Sequence, residues 1–231
     1  MAPPELGVVI VTGGASGLGA ATVAAVAGAG GTPVVLDRHE PPAGGEHEVV
    51  DLADPRAAEA AVVRVAERHG SLSGVVTAAA FDVPGRLEDV EAATWDRIVA
   101  VNLVGTACVV RAALPFLERS TGTVVTVGST LGFKAVGDAT AYCASKFGVI
   151  GFTRALAAET AGRVGVTLLV PGGMRTAFFD EREEHYKPPP DATLNRPEDV
   201  ARTVVFALTQ PPGCELRELV VTPSVESSWP P

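Results

Sequence analysis

Tyr142 and Lys146 stand four residues apart in the stretch 139–152, which reads ATAYCASKFGVIGF. Residues four apart share one face of a helix, so the lysine ammonium can lie beside the phenol ring. A phenol has an unperturbed pKa of about 10, and a nearby positive charge favours the phenolate. Lowering that pKa to about 7 requires about 4 kcal/mol of differential stabilisation. The spacing predicts proton transfer at Tyr142, although the same spacing also arises by chance in helices.

A glycine-rich segment near the start of the chain, 12-TGGASGLG-19, follows an apolar run and precedes an alanine-rich helical pattern. Gly13, Gly17 and Gly19 permit a tight turn and a close backbone approach to a pyrophosphate. The helix start adds free N–H groups and a favourable dipole. The spacing is Gly-x-x-x-Gly-x-Gly, which differs from the usual dinucleotide pattern and from the P-loop. A purely structural turn is the weaker alternative, so the segment indicates nucleotide binding.

Two acidic residues follow later apolar runs. Asp37 ends the second run, where a carboxylate can accept both ribose hydroxyls of an adenosine. A 2′-phosphate at that place would meet like-charge repulsion, which favours NAD over NADP, although Arg38 follows at once and partly offsets the repulsion. Asp51 and Leu52 close the next short run, and Asp51 can accept a hydrogen bond from the adenine amino group.

The elements that position these residues alternate between short β-branched runs and longer helical stretches. Strands are expected at 7–12, 33–37, 48–52, 74–78, 122–128, 165–170 and 216–222, and helices at 17–29, 55–69, 94–118, 140–161 and 196–208. The strands are continuous apolar runs, which is typical of parallel strands buried on both faces. The alternation predicts one α/β domain over residues 1–231, an open doubly wound parallel sheet with helices on both faces. A charged and proline-rich insertion at about 172–195 falls where such sheets bind ligands.

Composition excludes several classes of protein. The chain is 47% hydrophobic and 19% charged, which is typical of a globular core, and its net charge of −9 argues against nucleic-acid binding. No apolar run is expected to span a membrane, and the first residues lack the basic region of a signal peptide. Cys108, Cys143 and Cys214 are odd in number and far apart, which favours reduced thiols in the cytoplasm. The four histidines are scattered, so no metal is expected.

With Asn102, Ser129 and 171-PGGMRT-176 added, the chain resembles the short-chain dehydrogenase/reductase family, in its short single-domain branch. Ser129 precedes Tyr142 by thirteen residues, and Asn102 precedes Ser129 by 27. The resemblance covers nearly the whole length. It implies a Rossmann-type fold and an NAD(P)-dependent oxidoreductase that acts on CH–OH groups, with a secondary alcohol and its ketone as the expected substrate pair.

The resemblance also implies a role for each catalytic residue. Tyr142 is the acid–base that exchanges a proton with the substrate oxygen, and Lys146 sets its pKa and binds the nicotinamide ribose. Ser129 holds the substrate oxygen near Tyr142. Asn102 anchors a water that links Lys146 to solvent; the alternative is a polar helix residue satisfied by a backbone carbonyl. Thr176 contacts the nicotinamide carboxamide.

Cofactor-binding residues are expected along the whole cleft edge of the sheet. They are Thr12, Gly13, Ser16, Gly17, Leu18, Gly19, Asp37, Arg38, Asp51, Leu52, Ala78, Ala79, Tyr142, Lys146, Pro171, Gly172, Met174 and Thr176. Two segments depart from the family pattern. The chain has 77-TAAA-80 where relatives carry Asn-Asn-Ala-Gly, and its end, 216-LRELVVTPSVESSWPP-231, lacks the usual Val-Asp-Gly-Gly and is expected to pack differently at a subunit contact.

The substrate side is expected to be mostly apolar. Its predicted wall consists of Phe81, Leu131, Phe133, Met174, Phe178 and Phe179, each of which has ordinary core packing as its alternative. Arg175 either meets a substrate carboxylate or faces solvent, and the charges of 180-DEREEHYK-187 are interpreted as a solvated helix face.

Three functions stay open at this stage. The first is an NAD-dependent oxidoreductase, and the second is a non-catalytic NAD-binding sensor or scaffold, which the altered residues 77–80 favour. The third is another enzyme on the same scaffold, such as a dehydratase or an epimerase. The resemblance implies a homodimer or homotetramer through the helices at 94–118 and 140–161.

Overall fold

The computed structural model describes residues 6–211 and 213–231. Its centre is one sheet of seven parallel strands in the order β3-β2-β1-β4-β5-β6-β7. The strands are β1 (Val8–Thr12), β2 (Thr32–Asp37), β3 (His47–Val49), β4 (Gly74–Thr77), β5 (Thr123–Val127), β6 (Gly165–Pro171) and β7 (Glu218–Val221). The expected doubly wound fold is confirmed.

Helices cover both faces of the sheet. They are α1 (Gly17–Gly28), α2 (Pro55–His69), α3 (Ala92–Val99), α4 (Thr106–Ser120), α5 (Thr140–Glu159) and α6 (Pro197–Leu208). The start of α2 follows the sequence signal, because Asp54 accepts hydrogen bonds from the backbone N–H groups of Arg56 and Ala57. Gly70 ends that helix in the left-handed conformation.

Alternate residues of the inner strands point to opposite faces of the sheet and enter separate cores. In β1, Ile10 packs into a core with α2, α4 and the end of α5, whereas Val9 and Val11 pack into a core with α1 and α6. Both faces of the strands are therefore buried, which explains why the strands are continuous apolar runs rather than alternating ones.

The prediction of one regular helix over 94–118 is wrong, because the helical stretch at this place is interrupted. It begins at Ala92 and is divided by a π-helical turn, Ala100–Gly105, between α3 and α4. Together the stretch Ala92–Ser120 is 29 residues long, with a mean hydropathy of 1.8 in its most apolar window. Length and composition alone would allow it to cross a membrane. Half of that window is buried inside the fold, as in the core helix of a globular protein.

The strand order reverses between β2 and β4, which flank β1. Beyond the carboxyl ends of these strands the chain leaves a crevice, and ligands bind at this point in open α/β sheets. The insertion after β6 closes one side of the crevice with two short 3₁₀ turns, Ala177–Phe179 and Glu184–Tyr186.

Candidate active site

A cleft of about 1470 Å³ runs along the carboxyl edge of the sheet. Of the residues predicted from the sequence to bind the cofactor, all but Thr12 line it, and so does Ser129. Asn102 does not line it and is buried beneath its floor. The fold therefore brings the glycine turn, the acidic strand ends and the Tyr142/Lys146 pair to one place.

The glycine turn between β1 and α1 has space for backbone only. Gly13 has a φ of 70°, and a Cβ on it would lie 2.7 Å from the Cα of Ala79. A Cβ on Gly19 would lie 2.0 Å from the carbonyl oxygen of Gly13, so no side chain fits there. The turn can therefore close against the start of α1, whose first N–H groups can face an anion, while the Gly13 and Ala15 N–H groups bond to Leu36 and Asp37.

Thr12 supports the turn from below. It is buried, and its hydroxyl accepts a hydrogen bond from the Ala79 N–H at 3.2 Å, which ties β1 to the segment after β4. In the same segment the Thr77 hydroxyl is buried and has no hydrogen-bond partner within the described ranges. This orphan hydroxyl lies at the first position of TAAA, where the resemblance places an asparagine amide.

Asp37 at the end of β2 lies beside the turn. One carboxylate oxygen accepts the Ala15 N–H at 3.1 Å, and the other accepts the His39 N–H at 3.0 Å. The carboxylate is thus held at the edge of the cleft, beside the glycine turn. Arg38 also lines the cleft.

Asp51 lies two residues after the end of β3, in the short run predicted at 48–52. Its carboxylate accepts the Ala53 N–H at 2.9 Å and pairs with Arg97 of α3 at 2.7 Å. Burial acts to raise the pKa of Asp51, but these two hydrogen bonds outweigh it and hold the pKa below its usual value. Leu52 beside it is buried and lines the cleft. Sequence reasoning missed Arg97, which lies a helix away from Asp51.

Ser129, Tyr142 and Lys146 meet in the middle of the cleft. Lys146 is buried, its Nζ lies 5.6 Å from the centre of the Tyr142 ring, and it donates to the Val127 carbonyl at 2.9 Å. Ser129 follows β5, and its hydroxyl accepts the Leu131 N–H at 3.1 Å. The single helical turn between the tyrosine and the lysine places the ammonium beside the ring, as the spacing predicts.

The neighbouring lysine does not by itself lower the pKa of Tyr142. Burial raises the pKa of Tyr142 to about 12, although a hydrogen bond with Ser129 acts in the opposite direction. Burial also lowers the pKa of Lys146 to about 8. The physical reason is that both groups are removed from water together, so desolvation outweighs the attraction between them.

Asn102 lies in the π-helical turn between α3 and α4. Its side-chain oxygen accepts the Phe81 N–H at 3.0 Å, while its amide nitrogen donates to the Phe81 carbonyl at 3.0 Å and to the Ser145 hydroxyl at 3.2 Å. A polar side chain satisfied by backbone was the alternative considered from the sequence, and the contacts agree with it. Asn102 therefore fixes the segment after β4 against α5. Its contact on α5 is Ser145, the residue immediately before Lys146.

Pro171, Gly172, Met174 and Thr176 follow β6 and line the cleft. The Thr176 methyl group lies 3.5 Å from the place that a side chain on Gly17 would occupy. The loop after β6 therefore faces the glycine turn across the cleft.

The chain end folds over this loop. The Glu226 carboxylate accepts the Gly173 N–H at 3.0 Å, and Ser228 donates to Thr130 at 2.7 Å. Residues 225–228 line the cleft. Phe133, which the sequence placed in the substrate wall, instead packs edge-to-face against Trp229 at 5.5 Å and does not line the cleft. The departure from the family ending thus has a local effect on the site.

Five of the six residues predicted for the apolar substrate wall line the cleft. They are Met174, described above, and Phe81, Leu131, Phe178 and Phe179. Phe178 lies 5.7 Å from the Tyr142 ring. Arg175 is exposed and lies outside the cleft lining, which agrees with the solvent-facing alternative.

Most charged side chains of 180–187 are exposed, as predicted for a solvated face, but the segment forms turns and the short 3₁₀ helix Glu184–Tyr186 instead of a longer helix. Arg182 is an exception: it is half-buried and pairs with Asp82 at 2.8 Å, with 14% and 4% of the two side chains exposed. Sequence reasoning missed this pair because the two residues are 100 positions apart. The sequence signal for this pair was Asp82, a lone acidic residue in the apolar segment after β4.

A nicotinamide dinucleotide fits these residues. The turn admits backbone only, a carboxylate stands beside it, and the cleft continues from there to Ser129 and Tyr142. Across the described ranges, no three His, Cys, Asp or Glu side chains lie close enough to hold a metal ion.

Comparison with known proteins was made on sequence and on structure. The family model described as short chain dehydrogenase matches residues 7–187. The 2-(S)-hydroxypropyl-CoM dehydrogenase 3 of Xanthobacter autotrophicus is 31% identical over 87% of this chain and 89% of its own. The L-fucose dehydrogenase of Mus musculus is 31% identical over 96% and 89%. The X-ray structure of an alcohol dehydrogenase from the archaeon Thermococcus sibiricus, complexed with 5-hydroxy-NADP, has a TM-score of 0.84 at 23% identity and covers 94% and 96%.

Proposed function

This chain belongs to the short-chain dehydrogenase family, and we propose that it transfers a hydride between NAD(H) and a secondary alcohol or its ketone, with Tyr142 as the general acid and base. The observation that carries the proposal is the meeting of Ser129, Tyr142 and Lys146 in one cleft with the glycine turn. The two curated relatives named above are both dehydrogenases, which supports oxidoreductase chemistry.

When bound, the nicotinamide ring supplies the hydride or accepts it. Ser129 holds the substrate oxygen by a hydrogen bond next to the Tyr142 hydroxyl. In ketone reduction Tyr142 donates its proton to the oxygen that becomes the alcohol; in oxidation its phenolate accepts that proton. Lys146, charged at neutral pH because its pKa is about 8, stabilises the phenolate and binds the nicotinamide ribose.

Asn102 acts through other residues in this scheme. Its contacts with Phe81 and Ser145 fix the floor beneath Lys146. The family role of anchoring a water that links Lys146 to solvent is retained as a proposal for Asn102, whose side chain and backbone carbonyl both already make hydrogen bonds.

We propose NAD rather than NADP as the cofactor. Asp37 presents a carboxylate beside the glycine turn, where the 2′-phosphate of NADP would meet a like charge. The neighbour solved with 5-hydroxy-NADP is too distant in sequence to decide the choice. Fluorescence titration with NADH and NADPH tests it: NADH should bind at least about tenfold more tightly, and tighter binding of NADPH would refute the role of Asp37.

The direct test of function is turnover on a broad panel of ketones and alcohols. Purified protein is mixed with NADH or NAD⁺, and the nicotinamide absorbance band is followed for each substrate. Turnover of any secondary alcohol or ketone supports the oxidoreductase. Tight NADH binding without turnover across the panel contradicts it.

That second result would instead support an NAD-binding sensor or scaffold. The altered segment 77-TAAA-80 favours this alternative, because it lacks the asparagine amide that the resemblance places at Thr77 and leaves the hydroxyl there without a partner among the described residues. A dehydratase or an epimerase would convert its substrate with no net change in the nicotinamide band.

The protein is also proposed to form a homodimer or homotetramer in the cytoplasm. The exposed apolar side chains Val104 and Phe147 lie on the helical layer of residues 94–118 and 140–161, where subunit contact is expected. Size-exclusion chromatography with light scattering would measure the assembly. A monomer at micromolar concentration would contradict the proposal.

A further inference from the structure

Residues 225–229, the clamp segment, lie after β7 and have no part in the hydride-transfer scheme. Residues 225–228 line the cleft that also contains Ser129 and Tyr142. The clamp segment contacts two separate parts of the cleft wall, namely residues 130–134 after β5 and the loop after β6. It therefore bridges the strand end that carries Ser129 and the loop that carries Thr176.

Glu226 makes the central contacts of the clamp segment. Its Oε2 atom accepts the Gly173 N–H at 3.0 Å, and its Oε1 atom accepts the Ser228 N–H at 3.0 Å and the Ser228 hydroxyl at 2.7 Å. Burial acts to raise the pKa of Glu226, but these hydrogen bonds outweigh it and hold the pKa below its usual value. The carboxylate is therefore ionised at neutral pH and accepts hydrogen bonds at both oxygens.

On the side of β6, Glu226 fixes the start of the loop. The Gly173 N–H donates to Glu226, and the Gly173 carbonyl accepts the Asn195 N–H at 3.0 Å, so this peptide is held on both sides. The carboxylate packs closely against the backbone, because a Cβ on Gly172 would lie 2.5 Å from Glu226 Oε2. Thr176, three residues after Gly173, lines the cleft opposite the glycine turn.

On the side of β5, the clamp segment is tied to the residues that follow Ser129. The Ser228 hydroxyl lies 2.7 Å from the hydroxyl of Thr130, which is buried and comes directly after Ser129. Lys134 Nζ donates to the Ser227 carbonyl at 3.0 Å. Glu226, Ser228 and Thr130 therefore form one row of hydrogen bonds that leads from the loop after β6 to the neighbour of Ser129.

We propose that Glu226 is a positioning residue for hydride transfer, which holds the loop after β6 through Gly173 and the segment of Ser129 through Ser228. The inference rests on the proposed function, in which Ser129 holds the substrate oxygen and Thr176 contacts the nicotinamide carboxamide. Glu226 acts only through these neighbours. Its effect on the reaction can still be large, because a displacement of about 1 Å can lower a rate about 100-fold.

The first test compares two ligands that differ in the nicotinamide. NADH and ADP-ribose, which lacks the nicotinamide, are titrated calorimetrically into the wild type and Glu226→Ala. NADH should bind at least about fivefold more weakly to the variant, whereas ADP-ribose should bind within about twofold of wild type, because only the nicotinamide meets the loop. Equal weakening of both ligands, or an unchanged NADH affinity, would overturn the inference.

Two further variants sharpen this comparison. Glu226→Gln keeps one acceptor oxygen, so its NADH affinity should lie between those of Glu226→Ala and the wild type. Glu67→Ala removes the same charge from the exposed face of α2, outside the cleft lining, and should bind both ligands as the wild type does. Circular dichroism checks that each variant is folded. A Glu226→Gln affinity at or below that of Glu226→Ala would overturn the role of the acceptor.

The second test measures turnover of a substrate that the wild type converts. Glu226→Ala should lower kcat at least about tenfold. Ser228→Ala keeps the Gly173 contact but loses the link to Thr130, so it should lower kcat at least about threefold while NADH affinity stays within about twofold. Wild-type kcat in either variant would overturn the inference. If the wild type converts no substrate, the oxidoreductase proposal fails by itself, and the comparison of NADH with ADP-ribose still decides the role of Glu226.

Discussion

The cofactor side and the substrate side of the cleft satisfy their polar groups in different ways. On the cofactor side, backbone N–H groups of Ala15 and Ala79 meet the side chains of Asp37 and Thr12 at the ends of neighbouring strands. On the substrate side, Asp82 and Arg182 meet from 100 residues apart and leave two buried atoms unpaired. The cofactor side is thus fixed by contacts between neighbouring strand ends, whereas the substrate side depends on a contact between distant segments.

The largest expected effect tests whether the cofactor side depends on backbone packing. Gly19→Ala should weaken NADH binding at least about 100-fold, because its Cβ would lie 2.0 Å from the Gly13 carbonyl oxygen and the turn must open. NADH fluorescence titration measures the affinity, and circular dichroism checks that the protein remains folded.

Gly28→Ala is the matched control, since nothing lies within 4 Å of a Cβ at the end of the same helix. It should bind NADH as the wild type does. Unchanged affinity in Gly19→Ala would show that the turn does not hold the cofactor as described.

The next effect concerns Lys146, which stands between the two sides. Burial lowers its pKa from 10.5 to about 8, so between these pH values the unfolded chain binds more protons than the folded protein. The free energy of unfolding should therefore rise with pH, by about 2 kcal/mol from pH 8 to 9.5. Tyr142 does not interfere in this window, because its pKa is raised above 10 and its contribution is lost only at higher pH.

Urea unfolding at the two pH values measures this rise against Lys146→Met. The methionine variant has no such proton to lose, so the rise should be absent from it. The same pH dependence in both proteins would contradict the burial of a charged Lys146.

The smallest effect examines an unpaired group on the cofactor side, the Thr77 hydroxyl. Thr77→Val replaces a buried hydroxyl that has no partner in the described structure by a methyl group of the same shape, and should raise the free energy of unfolding by about 1 kcal/mol. Thr126→Val, whose hydroxyl meets Thr153 at 2.7 Å, should lower it by about 1 kcal/mol. Chemical denaturation compares the two; destabilisation by Thr77→Val would mean that its hydroxyl is satisfied after all.

The contrast between contacts at neighbouring strand ends and contacts between distant segments also explains which features the sequence could predict. The sheet, the glycine turn and Asp37 follow from local patterns, because each depends on residues close in the chain or on the shared edge of parallel strands. The Tyr142/Lys146 geometry follows from one helical turn. The π-helical turn, the contacts of Asn102, the position of Phe133 against Trp229 and the Asp82–Arg182 pair depend on distant segments, for which one sequence carries no pairing signal.

Prediction of the Tyr142 pKa from the sequence is limited in the same way. Spacing predicted the neighbouring charge, but the cost of burying both groups depends on how completely the surrounding helix and loop exclude water. That cost raises the pKa of Tyr142 to about 12.

The most direct test of the central claim is the turnover of Tyr142→Phe on a substrate that the wild type converts. The account predicts a kcat at least about 1000-fold lower, the loss expected for a general acid–base, with NADH affinity within about threefold. The chain has one other tyrosine, Tyr186, and Tyr186→Phe should retain activity as the matched control. A Tyr142→Phe variant that keeps kcat within about tenfold of wild type would contradict the account.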